Sequence, residues 1–248
     1  MPQINSLEIV ACFAQTELGH GSNVRGIETT AHYNVESDHF ILNSPSITSI
    51  KWWVGALGVG SNFALLVARL IIQENDYGPH AFFVQIRDRK THEPLPGVSV
   101  GDIGPKMGLV GNDNGFLKFE SFKVPREALL NKFARVNPGG EYEIIDPNGI
   151  KVLYLSLLQV RTHIPKVAWF DLARALTIAI RYSLVRRQFP SAEAPGQERQ
   201  LLDYQIQQYK LFTALAVNYG TLFGTHWLNI TIDLHKGDLG DPEVIGNL

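Results

Sequence analysis

The pattern of hydrophobic and polar positions changes its period once along the chain. From residue 7 to about residue 145, apolar residues form short runs separated by turn residues, which is typical of β strands. The predicted strands are Glu8–Ala14, Thr29–Val35, His39–Leu42, Ile47–Trp53, Ala64–Ile72, Ala81–Ile86 and Phe116–Val124. Many short strands at this spacing favour a closed or sandwiched sheet.

The turn-rich segments Asn137–Gly140 and Asp146–Gly149 are interpreted as the linker, because the apolar period beyond them is about 3.6 residues. One long helix is predicted, beginning or kinking at Pro165 and ending near Phe189. Its apolar stripe holds Ala168, Leu172, Ala175, Ala179 and Ser183.

A second helix is predicted to end at His235–Gly237, where cations and a glycine stop it. One face of this helix carries Leu201, Tyr204, Gln208, Leu211, Leu215 and Leu222. Two helices cannot bury both faces of each other, so the bundle is predicted to be incomplete. The expected fold class is α+β, with a β-barrel-like domain over residues 1–145 and part of a helical bundle over 146–248.

Composition narrows the possible partners. The 248 residues are 45% hydrophobic with a formal net charge of −2, which describes a globular protein and gives no reason to expect nucleic acid as a partner. No apolar run reaches roughly 18 residues, so no membrane span is predicted. The single cysteine, Cys12, lies in an apolar run and is expected to be an inert core thiol. The C-terminal residues Gly246–Leu248 are not a peroxisomal targeting signal.

The first candidate for chemistry is the junction that follows the first predicted strand. Thr16 and Ser22 flank a turn containing Gly19 and Gly21, and their donors suit the polar edge of a flat heterocycle or a pyrophosphate. A plain turn with local hydrogen bonds gives the same pattern and is the better interpretation of these residues alone. Glu17 is a possible base, although a glutamate here is more often structural. No metal site is expected, because His20 has no partner at ligand spacing.

A second junction follows at Lys51–Gly55. Adjacent tryptophans in a strand face opposite ways, so one of Trp52 and Trp53 can pack in the core while the other lies beside a ligand. Gly55, with the glycines that follow it, allows the backbone to come close to a partner. Core packing of both tryptophans remains the simpler alternative.

The predicted helices supply a third group of candidates. Arg186 and Phe189 could hold a phosphate and cover an adenine. Alternatively, Arg186 is a cation that stabilises a helix C-terminus. Gln205 could bond a cofactor or simply line a polar helix face.

Several segments carry a further pattern when they are taken together: Ala14–Asn23, Gly26–Ala31, Ile41–Pro45, Ser49–Trp53, Gly101–Lys106, Asn114–Gly115, Ala179–Ser183 and Leu202–Lys210. Together they resemble the acyl-CoA oxidases of the acyl-CoA dehydrogenase superfamily. The resemblance implies the middle β-barrel-like domain and the first long helices of the C-terminal bundle. The N-terminal helical domain and the rest of the C-terminal region are expected to be missing, as in an internal fragment.

The resemblance also implies FAD as cofactor and a role for each candidate residue. Thr16 matches the residue that bonds the flavin pyrimidine edge, and Ser22 the position near the pyrophosphate. Trp53 and Gly55 match positions beside the isoalloxazine ring. The remaining matches reach the adenine-diphosphate part of an FAD held by the other subunit of a homodimer; they are Arg186, Phe189 and Gln205.

The implied reaction converts a fatty acyl-CoA to a trans-2-enoyl-CoA and reduces O2 to H2O2, the first step of peroxisomal fatty-acid β-oxidation. The base glutamate of the family is expected beyond Leu248, so the catalytic residue stays unknown. One alternative is an acyl-CoA dehydrogenase that uses an electron-transfer flavoprotein, although Leu18 and Gly19 after Glu17 favour an oxidase. The other is a non-catalytic oxidase-like protein that acts through dimerisation.

Overall fold

The computed structural model describes residues 2–147, 152–190 and 195–234. The chain divides into two compact units, Met1–Pro147 and Asn148–Leu248. The first unit is rich in β structure and the second contains two long helices, as the change of apolar period predicts.

The first unit begins with a short helix, α1 (Pro2–Asn5), and continues with strands. The strands are β1 (Ala11–Ala14), β2 (Thr30–Asn34), β3 (His39–Asn43), β4 (Lys51–Gly55), β5 (Phe63–Ile72), β6 (Asn75–Gln85), β7 (Val98–Asp102), β8 (Asn114–Phe119), β9 (Phe122–Pro125), β10 (Ala134–Val136) and β11 (Tyr142–Ile144).

Strand β5 is the centre of a mixed six-stranded sheet. Its first half pairs in parallel with β1 and its second half in parallel with β2, while β6 runs antiparallel along its other edge. Strands β3 and β9 continue the sheet beyond β2, and β4, β8 and β7 form a separate three-stranded antiparallel sheet. The mixed sheet forms a half-barrel, which confirms the barrel-like prediction in its coarse form.

The core of this unit is made by the alternate residues that each strand directs inward. Phe40, Phe82 and Phe119 are fully buried, and the Phe40 and Phe82 rings meet edge to face with centroids 5.2 Å apart. Strand β5 is buried along most of its length, as a central strand must be. The apolar stretch Ala64–Ile72 is therefore a strand, as predicted, and not a helix.

Three sequence predictions for this unit need correction. The run Phe116–Val124 is broken into β8 and β9 at Ser121, whose φ is +49°. Ile47 is 71% exposed, and β4 starts only at Lys51. The segment Asn137–Gly140 is the turn of the β10–β11 hairpin, closed by a bond from the Gly140 amide to the Asn137 carbonyl, and is not part of a linker.

The second unit contains α2 (Val152–Val185), β12 (Arg187–Pro190), β13 (Glu198–Gln200) and α3 (Gln205–Leu234). Helix α2 continues through Pro165, so this proline does not begin the helix. The predicted end near Phe189 is wrong, because Arg187–Pro190 is extended and pairs with β13. The turn preceding α3 is a 3-10 helix, Leu201–Asp203, so Leu201 and Tyr204 stand outside the helix that was predicted to include them.

Helices α2 and α3 pack through a face close to the predicted one. Leu176 and Ser183 of α2 are buried, as are Leu211, Asn218 and Thr225 of α3. The Gln207 amide donates to the Ser183 hydroxyl at 3.1 Å. Within the predicted stripe of α2, Ala168 and Ala175 are exposed, because the real contact is displaced toward Leu176. The predicted helix end at His235–Gly237 lies outside the described residues.

Helix α3 is also apolar on the side that faces away from α2. Its exposed large side chains include Tyr209, Phe212, Tyr219, Phe223 and Trp227, whose spacing places them on one stripe. No helix within the three described ranges has both the length and the apolarity to cross a membrane.

Candidate functional site

Two neighbouring segments of the first unit form what we call the rim, defined as Thr16–Ser22 after β1 and Trp52–Gly60 from β4 onward. The Trp52 amide donates to the Thr16 carbonyl at 3.0 Å. The Leu18 amide donates to the Ile50 carbonyl at 2.8 Å. The structure therefore brings Thr16 close to the strand that carries Trp53 and Gly55, as the sequence interpretation requires.

The rim exposes several of its groups. Thr16 is exposed, and its hydroxyl has no hydrogen-bond partner among the described residues. Trp53 is 48% exposed. A Cβ atom added at Gly55 would meet nothing within 4 Å. Ser22 is exposed at the far end of the first segment, where its carbonyl accepts from the Val24 amide.

A β-bulge separates the roles of the two tryptophans. The register between β4 and β8 shifts between Lys51 and Val54, and Trp53 adopts a left-handed φ of +69°. Trp52 is half-buried and stacks on Phe116 with ring centroids 6.3 Å apart. One tryptophan thus packs inward while the other is presented at the surface, through a strained conformation of the kind that concentrates at functional sites.

The rim rests on a buried ion pair. The Glu17 carboxylate lies 3.1 Å from the Lys51 ammonium, and both side chains are fully buried. Glu17 also accepts hydrogen bonds from the Thr29 amide and hydroxyl, at 2.9 and 2.6 Å, and from the Glu28 amide at 2.8 Å. Burial alone would raise the pKa of Glu17, but Lys51 and these donors together hold that pKa below its usual value.

These contacts give Glu17 a structural role. Glu17 is saturated with donors inside the protein, so its carboxylate is structural and not a solvent-facing base. His20 is bound to it through Nδ1 at 2.9 Å. The described residues contain no cluster of three metal-ligating side chains.

Two further charged residues hold the second rim segment. The buried Arg87 guanidinium donates to the carbonyls of Leu57, Gly58 and Ser61 at 2.5–3.1 Å. The Asp113 carboxylate accepts from the Val59 and Gly60 amides. We call these two residues the loop clamp, because they fix the backbone that follows Gly55 from both its carbonyl and its amide groups.

Gly58 fits under this clamp only because it has no side chain. A Cβ atom there would lie 2.5 Å from the Asp113 carboxylate and 2.9 Å from the Asp102 backbone. The close approach expected for this glycine is therefore made to the protein's own chain.

Asn114 joins the loop clamp to the bulge. Its side-chain amide donates to the Trp53 carbonyl at 3.1 Å, and its own oxygen is buried without a partner among the described residues. Cys12 lies apart from this chemistry, because burial raises the pKa of its thiol to about 11, in keeping with an inert core thiol.

The other three candidates lie in the second unit. Arg186 directly follows α2, and its backbone bonds the Tyr182 carbonyl and the Leu201 amide. Phe189 is 65% exposed, with a left-handed φ of +64° in β12. Gln205 is exposed at the first position of α3. The 3-10 turn that bonds to Arg186 leads into the start of α3, so the three residues belong to one end of this helix pair.

The residues that support the rim were not predicted from the sequence. Lys51, Arg87 and Asp113 act through partners 16 to 54 positions away in the chain, which no local pattern shows. One signal was present: Lys51 is a charge within the apolar stretch Ile50–Val54, and a charge inside a strand often has a buried partner.

Each of the two units matches a domain of known proteins. Residues 12–122 match the model of the acyl-CoA dehydrogenase middle domain, and residues 154–243 match the model of the acyl-CoA oxidase C-alpha1 domain. The chain therefore belongs to the acyl-CoA oxidase family.

Individual relatives are similar over nearly the whole chain. Peroxisomal acyl-coenzyme A oxidase 1 of Bos taurus is 48% identical over 245 residues, covering 96% of this chain and 36% of the relative. Acyl-coenzyme A oxidase acox-1.3 of Caenorhabditis elegans is 47% identical over 243 residues, covering 97% and 36%. The chain thus spans about a third of the length of the curated relatives it matches.

Solved structures give the same result. Acyl-CoA oxidase 1 of Arabidopsis thaliana is 42% identical with a TM-score of 0.87, over 96% of this chain and 36% of that chain. Acyl-CoA oxidase-2 of Caenorhabditis elegans, solved with FAD, ascaroside-CoA and ATP, is 47% identical with a TM-score of 0.84, over 97% and 35%.

Proposed function

We propose that this chain carries the flavin-binding part of a peroxisomal, FAD-dependent acyl-CoA oxidase. The observation that supports it most directly is the rim, where a free hydroxyl (Thr16), a presented indole (Trp53) and an open glycine (Gly55) occur on two hydrogen-bonded segments. These groups fit the polar edge and the flat face of a flavin. Relatives at 47% identity include an oxidase solved with FAD.

In this proposal each exposed group has a distinct task. The Thr16 hydroxyl bonds the pyrimidine edge of the flavin, Trp53 packs beside the ring, and Gly55 lets the ring come close to the backbone. Ser22 lies near the pyrophosphate. Because the backbone around these groups is fixed by the ion pair and the loop clamp, the site needs little reorganisation on binding.

The proposed reaction removes two hydrogens from a fatty acyl-CoA to give a trans-2-enoyl-CoA. The bound flavin would supply the acceptor for the β-hydride, and its reoxidation would convert O2 to H2O2. No catalytic base is assigned to this chain. Glu17 is unsuited to that role, since it is buried and bonded to Lys51 and Thr29.

We further propose that the chain acts as a homodimer in which the second unit completes the partner's site. Arg186, Phe189 and Gln205 all present exposed side chains. A guanidinium and an aromatic ring suit the phosphates and adenine of FAD. The apolar stripe on the side of α3 that faces away from α2 is consistent with further packing partners.

Flavin binding is tested by titrating the chain with FAD and following flavin fluorescence. Thr16→Ala should weaken binding by about 1–3 kcal/mol, because the flavin edge loses its partner in a partly dry site, whereas Thr16→Ser should keep most of the affinity. Thr91→Ala, in an exposed turn, is the matched control and should bind as the wild type does. Equal affinity of the Thr16→Ala and wild-type chains would contradict the assignment.

The choice between oxidase and dehydrogenase is tested on the same flavin-loaded chain. The flavin is reduced with dithionite, the excess is removed, and the chain is mixed with air-saturated buffer. An oxidase should reoxidise rapidly and release one H2O2 per flavin. Slow reoxidation that speeds up only with an electron-transfer flavoprotein would favour the dehydrogenase instead.

A further inference from the structure

Lys51 uses its whole hydrogen-bonding capacity inside the protein. Its ammonium donates to the Gln15 carbonyl at 2.9 Å, to the Glu17 carboxylate at 3.1 Å and to the Val67 carbonyl at 2.7 Å. An ammonium has three donors, so none is left over. Two of these acceptors belong to the residues on either side of Thr16.

The backbone next to Lys51 holds Thr16 itself. The Trp52 amide donates to the Thr16 carbonyl at 3.0 Å, so Gln15, Thr16 and Glu17 are each bound by the segment Lys51–Trp52. This segment continues directly into the bulge that presents Trp53. Lys51 therefore links the residues on both sides of Thr16 to the strand that presents Trp53.

We propose that Lys51 is a positioning residue of the flavin site, whose buried charge fixes Thr16 relative to Trp53. This inference rests on the proposed function, in which Thr16 and Trp53 contact the flavin. In this proposal the Lys51–Glu17 ion pair does more than stabilise the fold. Buried ion pairs can often be replaced by uncharged groups at little cost in stability, whereas the Gln15 carbonyl would lose its donor in any such replacement.

The test therefore removes both charges at once. In the double variant Lys51→Met with Glu17→Gln, no unpaired charge is left behind, and the fold should be more stable than with Lys51→Met alone. Tyr33→Phe is the matched control. It deletes a buried hydroxyl bonded to Asp38 and Pro138, away from the rim contacts, and should lower stability without altering the rim.

The first measurement needs no ligand. Amide hydrogen exchange is followed by NMR at Trp52, whose amide bonds to Thr16, and at Ser44, whose amide bonds to the Phe119 carbonyl at 2.9 Å. In the double variant, exchange at Trp52 should be faster by about tenfold or more relative to Ser44. An unchanged ratio of the two rates would overturn the positioning role.

The second measurement is FAD binding by the full chain. The double variant should bind FAD about tenfold more weakly or worse than wild type, with a shifted flavin absorption band, while Tyr33→Phe should match wild type in both. Wild-type affinity and spectrum in the double variant would overturn the inference. If the wild-type chain takes up no FAD, the proposed function fails, and the exchange rates still decide whether Lys51 positions Thr16.

Discussion

At the scale of single residues, the rim contains a tryptophan whose backbone conformation is unfavourable for any residue with a side chain. Trp53 has a bulky side chain and a left-handed φ of +69°, which costs on the order of 1–2 kcal/mol for a residue other than glycine. Its carbonyl is held by Asn114, and the bulge turns its indole outward. Strain of this size persists only where neighbouring contacts determine the conformation.

This strain predicts that the difference in stability between the glycine and the alanine variant has opposite signs at Trp53 and Trp52. Trp53→Gly should be more stable than Trp53→Ala by about 1 kcal/mol, because glycine adopts positive φ without penalty. Trp52→Gly should instead be less stable than Trp52→Ala by about 0.5–1 kcal/mol, the usual effect in a strand. Urea unfolding followed by circular dichroism measures both differences. The same sign at the two positions would refute the strain at Trp53.

At the scale of elements, the sequence predicted most of what depends on local pattern. Three predictions agree with the structure: the strand identity of Ala64–Ile72, the strands Thr29–Val35 and His39–Leu42, and the packed face around Leu211 and Leu215. The wrong predictions concern segments whose conformation depends on a strand partner elsewhere in the chain. Arg187–Pro190 leaves the helical pattern because it pairs with β13, and no window of neighbouring residues shows that partner.

Helix α2 carries one element-scale weakness that can be measured. Pro165 lies inside the helix, where it removes a backbone donor and crowds the preceding turn, at a cost of up to about 3 kcal/mol. Pro165→Ala should therefore raise the thermal midpoint of the second unit, followed by circular dichroism at 222 nm. Lys166→Ala is an exposed neighbouring control and should change it little. A lower midpoint for Pro165→Ala would mean that the proline is needed for packing.

At the scale of the whole molecule, the sequence suggested candidate residues for the rim but not the residues that support it. Thr16, Trp53 and Gly55 could be proposed because hydroxyls, aromatics and glycines at strand ends are visible in the chain itself. Lys51 and Arg87 could not be assigned, because their acceptors are carbonyls on distant segments. The candidates Arg186, Phe189 and Gln205 belong to the other compact unit.

The proposed division of the site between two copies predicts complementation. Chains with Thr16→Ala or Arg186→Ala should each bind FAD weakly. When the two are mixed and allowed to exchange subunits, a mixed dimer has one site with both defects and one with neither, so tight FAD binding should reappear. Fluorescence titration of the mixture detects it. Binding no better than the average of the separate variants would argue for a site within one copy.

The loop clamp also limits whether the candidate site can be reproduced in a peptide or grafted onto another protein. The backbone after Gly55 takes its shape from Arg87 and Asp113, which stand on other parts of the chain. A peptide spanning the loop would lose that shape, and a graft onto a foreign scaffold would have to bring both charged residues and the strands that carry them. The transferable unit is therefore the whole sheet scaffold and not the loop after Gly55 by itself.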